Sequence, residues 1–513
     1  MNRRNFLVRS AFATGAFAAP SSALASLSSM TGAGWQATAG TSARVTIHPE
    51  RTLATVPPDF IGLGYEISSV TRPGLLTGAD SIYVQLVQNL GAGGVIRIGG
   101  NTSDYSRYSA NAPAASSAYG TVMNDASLRD LGSFLGAVGW KLIWGLNLGG
   151  SKLASAGGSP SGGIAQAIAE VKAVLAIAKD HLLAFEIGNE PDLFPNEGHR
   201  LPGYTYDMWL AEFRHYKAAL RAQLPNLPLA GPDAAGRTDW VTRFAADEGH
   251  NAVLLTHHYY RGGQNSGSTI EKLLAPDPKL QPELNKLGAV SRSSGLPFRI
   301  CEVNSFSGGG RPGVSDTLAS ALWVLDYMFT LVANGCSGVN METGINQLDF
   351  VSSYSPIADA PHIPPTARPE YYGMLAFSRA AQGRLLASNV EDATGNLKAY
   401  VTAPHPGLLT VTLINKGAKD LDVVIDLPPG ASSKHASILR LAGRGPASTS
   451  GVTLGGAEVK PDGNWSPTSL ESAEPHLGAL RIPTRAYSAA IVELPNREGQ
   501  QVSISPLRNT QPE

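Results

Sequence analysis

The chain has 513 residues, 43% hydrophobic and 16% charged, and its 40 basic residues balance 41 acidic ones to a net charge of -1. That length exceeds one ordinary core and predicts a large domain joined to a smaller one. The balance argues against the clustered Lys and Arg of a broad nucleic-acid or membrane-surface footprint, and suits a neutral or small partner better.

At the N-terminus, Arg3 and Arg4 precede an apolar stretch from Ala11 to Ala19, and Ala23-Leu24-Ala25 has the pattern of a small-residue cleavage site. Residues 1–25 therefore read as a twin-arginine-type export signal, which implies a periplasmic or secreted protein. The apolar part is too short and too rich in Ala and Gly to serve as a membrane anchor. Residues 26–42 read as a loose linker. Two β-patterned runs follow within 43–57, Ala43–Ile47 and Thr52–Val56.

From 58 to 384 short apolar runs alternate with helical patterns. The expected strands are Phe60–Ser68, Gly94–Gly100, Lys141–Leu148, a run from Leu182, Leu227–Ala230, Ala252–Tyr260, Pro297–Val303 and Gly338–Met341. Helical periodicity lies at 78–91, 125–139, 164–179, 206–224, 280–294, 316–334 and 369–381. Near-continuous apolar strands alternating with amphipathic helices predict an α/β fold, a (β/α)8 barrel. From 385 to 496 the runs turn short, β-rich and broken by Pro, Gly and Asp, which predicts an antiparallel β-sandwich. The 43–57 runs lack barrel partners and are expected to join that sandwich. Residues 497–513 read as a disordered tail.

Two carboxylates carry the chemistry. Leu182–Phe185 is a buried-strand run that leads to Gly188, Asn189, Glu190 and Pro191, where glycine and proline stop simple strand continuation. Glu302 likewise ends an apolar run, in LPFRICEVNSF. Placed after strands four and seven, the two acids would face each other at the carboxyl-end mouth of the barrel. Glycoside hydrolysis needs one carboxyl that protonates the leaving oxygen and a second that acts on the anomeric carbon. A lone loop acid is more often a helix cap; the matched pair is the signal. Two cysteines, Cys301 and Cys336, read as small buried core residues, with a bond between them open. His257 and His258 lack further ligands at metal spacing, so no metal is implied.

Gly188-Asn189-Glu190-Pro191 with a second strand-end Glu resembles the retaining (β/α)8 glycosidases. Ile98-Gly99-Gly100-Asn101-Thr102-Ser103-Asp104, Thr256-His257-His258-Tyr259-Tyr260 and Cys301-Glu302-Val303-Asn304-Ser305, running on to Gly308-Gly309-Gly310, narrow the resemblance to glycoside hydrolase family 79, the β-glucuronidases and heparanases. It spans the barrel and the sandwich. The resemblance implies Glu190 as acid/base, Glu302 as nucleophile and Asn189 as partner of the sugar 2-OH. It implies Asp104 as a contact to sugar hydroxyls and Tyr259 as the tyrosine holding the nucleophile. Gly308, Gly309 and Tyr354 would grip the substrate carboxylate. Glu66 is a further candidate for substrate binding.

One departure concerns the sugar. Ser307 stands where the β-glucuronidases carry a tyrosine before the glycine run, and the eighth loop is longer and bears Glu342 and Asp349. A lost donor and added acids would weaken attraction for a uronate. The expectation is thus a retaining β-glycosidase acting on a carbohydrate or glycoconjugate, β-glucuronidase first and a neutral-sugar β-glucosidase or β-xylosidase second. A non-catalytic carbohydrate-binding protein on the same scaffold is the contrasting class. No cofactor, nucleic-acid partner or membrane anchor is implied, and oligomeric state is left open.

Overall fold

A computed structural model describes residues 41–117, 120–150, 163–344, 351–360, 363–428 and 435–495. The expected export signal, nearly all of the expected linker, the expected tail and Asp349 lie outside the described residues. Among the described residues no helix is long and apolar enough to cross a membrane.

Barrel strands one to eight are Gly62–Glu66, Val95–Gly99, Lys141–Leu146, Leu182–Ile187, Ala230–Ala234, Leu254–Gly263, Phe298–Ser307 and Val339–Glu342. They form one sheet in the order four, three, two, one, eight, seven, six, five. A parallel bridge from Phe185 to Leu229 closes the ring. The fold is a (β/α)8 barrel with an added β-sandwich. Side chains alternate across each strand, so every second residue enters the lumen. Val95, Ile143, Ala184, Ala230, Leu254 and Cys301 pack together there as an apolar layer. Both cysteines are buried free thiols.

Helices cover the outer face. Asp125–Val138 shows why they form where they do: Asn124 and Ser127 exchange side-chain-to-backbone bonds in a capping box, and Gly139 ends the helix in the left-handed region. Leu318–Ala333 is apolar on nearly every side because it is covered all round, packing on Pro369–Ala380 and on the sandwich.

The sandwich has its own core, with Val45, Ile47, Val401, Val411, Leu413, Val423, Ile425, Ile482 and Val492 among its members. The two N-terminal runs are one strand, Thr41–Thr55, with register slips between His48 and Ala54. It pairs antiparallel with Arg384–Asp392 and parallel with Leu421–Asp426.

Three features depart from the sequence expectation. Strand five is Ala230–Ala234 rather than 227–230, because its Gly-Pro-Asp reads as a loop yet Gly231 and Pro232 are paired on strand six. Helix Thr238–Glu248 was not anticipated; it is short, with Trp240, Val241 and Phe244 as its buried apolar set. A three-stranded sheet of Ser106–Tyr108, Ala115–Ser117 and Gly120–Met123 follows strand two.

Candidate active site

The mouth of the barrel is built by local departures from regular strand. After strand four, Gly188 takes φ 84° and Glu190 takes φ 49°, ψ 50°. A left-handed non-glycine residue is strained by about 1–3 kcal/mol and persists only where the surroundings impose it. Here Pro191 follows, and the Glu190 N–H donates to the Asp233 carbonyl at 3.0 Å. Asp233 is itself left-handed, φ 60°, at a slip in the strand five–six pairing. Strand seven carries a bulge: its pairing with strands six and eight slips across Cys301 and Glu302. That extra residue lets Glu302 follow the inward-facing Cys301 and still face the lumen.

Arg97 from strand two ties these ends together. Its Nε donates to Glu186 Oε2 at 3.0 Å and its Nη1 to Glu302 Oε2 at 3.0 Å. Its Nη2 donates to Asn189 Oδ1 at 2.8 Å and to Asp233 Oδ2 at 2.6 Å. The guanidinium is wholly buried. Burial opposes its charge, but Asp233, Glu186 and Glu302 outweigh that and keep it protonated. Burial and the neighbouring Asp233 push Glu186 up to about 7 despite Arg97.

His258 from strand six is the second cation. Its Nε2 meets Asp233 Oδ1 at 2.7 Å and its Nδ1 meets Glu190 Oε1 at 3.2 Å. Burial alone would lower its pKa; Asp233 and Glu302 raise it well above the ordinary value. Burial likewise works against the Asp233 charge, yet Arg97 and His258 hold that carboxyl ionised and low.

One carboxylate oxygen each of Glu190 and Glu302, with a His258 nitrogen, lie within 4.8 Å of one another. Such a trio has the donors of a metal site, but a ligating imidazole must be neutral, and His258 is held protonated between carboxylates. The trio fits two facing acids around an imidazolium better than a metal.

Glu302 accepts from Arg97 at Oε2 and from the Tyr260 hydroxyl at Oε1, 2.9 Å away. The tyrosine on the nucleophile candidate is therefore Tyr260, which corrects the expectation for Tyr259. His258 and Tyr260 share the inward face of strand six, whereas Tyr259 points outward, bonds Asp277 at 2.6 Å and stacks on Tyr327. Asp104 is also placed differently from a sugar contact. Its Oδ1 accepts the Leu148 and Gly149 N–H groups and its Oδ2 the Asn189 N–H. Buried on all sides and pushed up to about 7 by that burial, it shapes the strand-three and strand-four ends.

Asn189 lies at the centre, its Nδ2 donating to Asn101 at 3.2 Å. Glu66 Oε2 accepts the Thr102 N–H and hydroxyl at 2.8 and 2.7 Å, and burial lifts its pKa to about 7. Gly308, Gly309 and Gly310 all take positive φ, 83°, 89° and 76°, a turn open to glycine but strained for other residues. Gly309 accepts the Ser353 N–H at 2.7 Å, and Tyr354 sits beside Tyr260 with ring centroids 6.3 Å apart. The glycine turn and Tyr354 thus meet on the strand-seven and strand-eight side.

No family model matches the chain. It is 28% identical over 357 residues to a β-glucuronidase of Neurospora crassa, a match covering 62% of this chain and 60% of that relative. It is 27% identical over 396 residues to a β-glucuronidase of Aspergillus niger, covering 70% and 69%. Against mouse heparanase it is 26% identical over 336 residues, covering 61% and 60%. The chain is thus similar in sequence to β-glucuronidases and heparanases, and spans about three fifths of the length of the first of these relatives. Among solved structures, a 4-O-α-L-rhamnosyl-β-D-glucuronidase from Fusarium oxysporum superposes with a TM-score of 0.69 at 18% identity, over 88% of this chain and all of that one. A family 51 α-L-arabinofuranosidase from Bifidobacterium longum reaches 0.65 at 14%, over 88% and 99%. These likenesses are of fold.

Sequence reasoning found both acids and missed what supports them. Arg97 was hidden inside an apolar run, although a charged residue in a buried strand is itself a signal of pairing. Asp233 was read as loop. His258 and Tyr260 were in view without roles, and strand alternation after Thr256 could have set them apart from His257 and Tyr259.

Proposed function

We propose that the chain is a retaining β-glycosidase acting on β-glucuronides. One observation carries this reading: Glu190 and Glu302 present oxygens within 4.8 Å of each other at the barrel mouth. Retaining glycosidases keep their carboxyls about 5–5.5 Å apart, whereas inverting ones leave about 6.5–9.5 Å for a water. Glu302 is the nucleophile. Arg97 and Tyr260 donate to its two oxygens and aim it. Glu190 is the acid/base, buried and set against His258. In the first step Glu302 attacks the anomeric carbon while Glu190 protonates the departing oxygen. In the second Glu190 takes a proton from the water that displaces Glu302. Asn189, pinned by Arg97 and Asn101, is the partner for the sugar 2-OH. Gly308, Gly309 and Tyr354 receive the uronate.

That two relatives are named β-glucuronidase supports glucuronides as the first substrates to test. A second reading, a neutral β-glycoside, is favoured by Ser307, which leaves the turn without a phenolic donor. Export rests on Arg3, Arg4 and the apolar run after them, and cell fractionation tests it.

A panel of nitrophenyl glycosides tests the function. β-Glucuronide cleavage is expected, with turnover abolished in Glu302→Gln. Glu190→Ala should spare substrates whose leaving groups need no protonation. Hydrolysis of no β-glycoside, or binding without turnover, overturns the reading.

A further inference from the structure

Glu342 ends barrel strand eight and has no part in the two steps above. The residue is 4% exposed. Its Oε1 accepts the Gly344 N–H at 3.1 Å, while Oε2 has no hydrogen-bond partner among the described residues. Gly64 backs it closely, since a Cβ there would lie 2.6 Å from Oε2. A buried oxygen without a partner is destabilising, which marks Oε2 as a group able to meet a bound ligand.

The surroundings say in what form the group is held. Glu302 faces it from strand seven, Glu66 from the end of strand one and Arg97 from strand two. Tyr65, Tyr260 and Tyr354 present neutral phenols from strand one, strand six and the eighth loop. Arg97 is already shared among Glu186, Asp233 and Glu302. A third anion here would be uncompensated. Burial first, then Glu302 and Glu66, push Glu342 up to about 8 against the pull of Arg97. Near neutrality it therefore keeps its proton. The sequence expectation that this acid repels a uronate reverses, because a buried acid beside carboxylates is neutral and a donor.

The position also borders the expected carboxylate grip. Gly344 lies against Ser352 and Tyr354, and Ser353 donates to Gly309. We propose that Glu342 donates a hydrogen bond from Oε2 to the carboxylate of a bound β-uronide, a donor additional to the glycine turn that Ser307 precedes. The inference rests on the glycosidase reading and names the residue that selects its sugar. No bond is made or broken; one proton is shared between two carboxyl oxygens.

The test is the ratio of kcat/KM on nitrophenyl β-glucuronide to that on nitrophenyl β-glucoside, which cancels pH effects common to both substrates. In the unaltered protein the ratio should fall about tenfold or more between about pH 6 and about pH 9, as Glu342 ionises. Glu342→Gln keeps a donor that cannot ionise, so its ratio should not change with pH. Glu342→Ala should lower the ratio at about pH 6 by about tenfold or more. Circular dichroism checks that both variants fold. A ratio that still falls between about pH 6 and about pH 9 in Glu342→Gln, as it does in the unaltered protein, overturns the proposal, as does a raised ratio in Glu342→Ala. Cleavage of the glucoside alone overturns it and leaves the glycosidase reading standing. Cleavage of neither substrate removes both.

Discussion

Two buried arginines occupy opposite ends of the same barrel lumen. Arg97, at the carboxyl ends of the strands, spends its donors on Glu186, Asp233, Glu302 and Asn189. Arg299, toward the other end, donates to Asn340 Oδ1 at 2.6 Å and to the carbonyls of Asp59, Phe60 and Val339. Carboxylates hold the first firmly charged, whereas burial lowers the pKa of the second, which meets only neutral dipoles directly. Between them lies the apolar layer of Val95, Ile143, Ala184, Ala230, Leu254 and Cys301. One end thus gathers ionised groups that reacting charge can use; the other closes the barrel with uncharged partners. That division follows the general rule that barrel chemistry sits at the carboxyl ends and stability at the amino ends.

The contrast can be broken from either side. Arg97→Ala removes the shared counter-charge of three acids, and kcat/KM should drop by at least about a thousandfold. Steady-state assays on folded protein measure this. Activity within about tenfold of the unaltered protein would show that Arg97 is structural only. Arg299→Met should instead cost about 2–5 kcal/mol in urea unfolding, because buried carbonyls and Asn340 lose their donor. Its kcat/KM per folded molecule should stay unchanged; a matching loss of turnover would erase the distinction between the two ends.

A finer comparison lies within strand six. Tyr260→Phe removes one donor from Glu302 and should lower kcat about 10–100-fold with little change in stability. Tyr259→Phe loses only the outward bond to Asp277, so it should cost about 1 kcal/mol and leave kcat alone. The opposite pattern would restore Tyr259 as the tyrosine of the site.

Much of the architecture was legible as pattern. Glu190 and Glu302 were visible because each ends an apolar run at a break, and a lumen mouth is where such ends converge. Asp233 was not, because Gly-Pro-Asp has a loop composition, whereas pairing of Pro232 and Ala234 on strand six holds Asp233 at a slip between them. Arg97 sits in a run read for its apolar residues, and its role exists only when strands four, five and seven bring three acids to it. The Tyr259 assignment failed because adjacent tyrosines have the same composition and opposite faces; the phase of strand six decides between them.

By itself, the chain's order of residues determined the alternation of strand and helix, the change to β-rich texture beyond 385, and the two acids, one after strand four and one within strand seven. These follow from periodicity and from breakers, which act over a few neighbouring residues. Tertiary structure alone decided which charges are paired. Glu342 shows the reason: its proton is held by burial and by Glu302 and Glu66, which lie 40 or more positions away in the chain. Desolvation and Coulomb energy depend on distance in space, and sequence separation says nothing of that until the barrel closes.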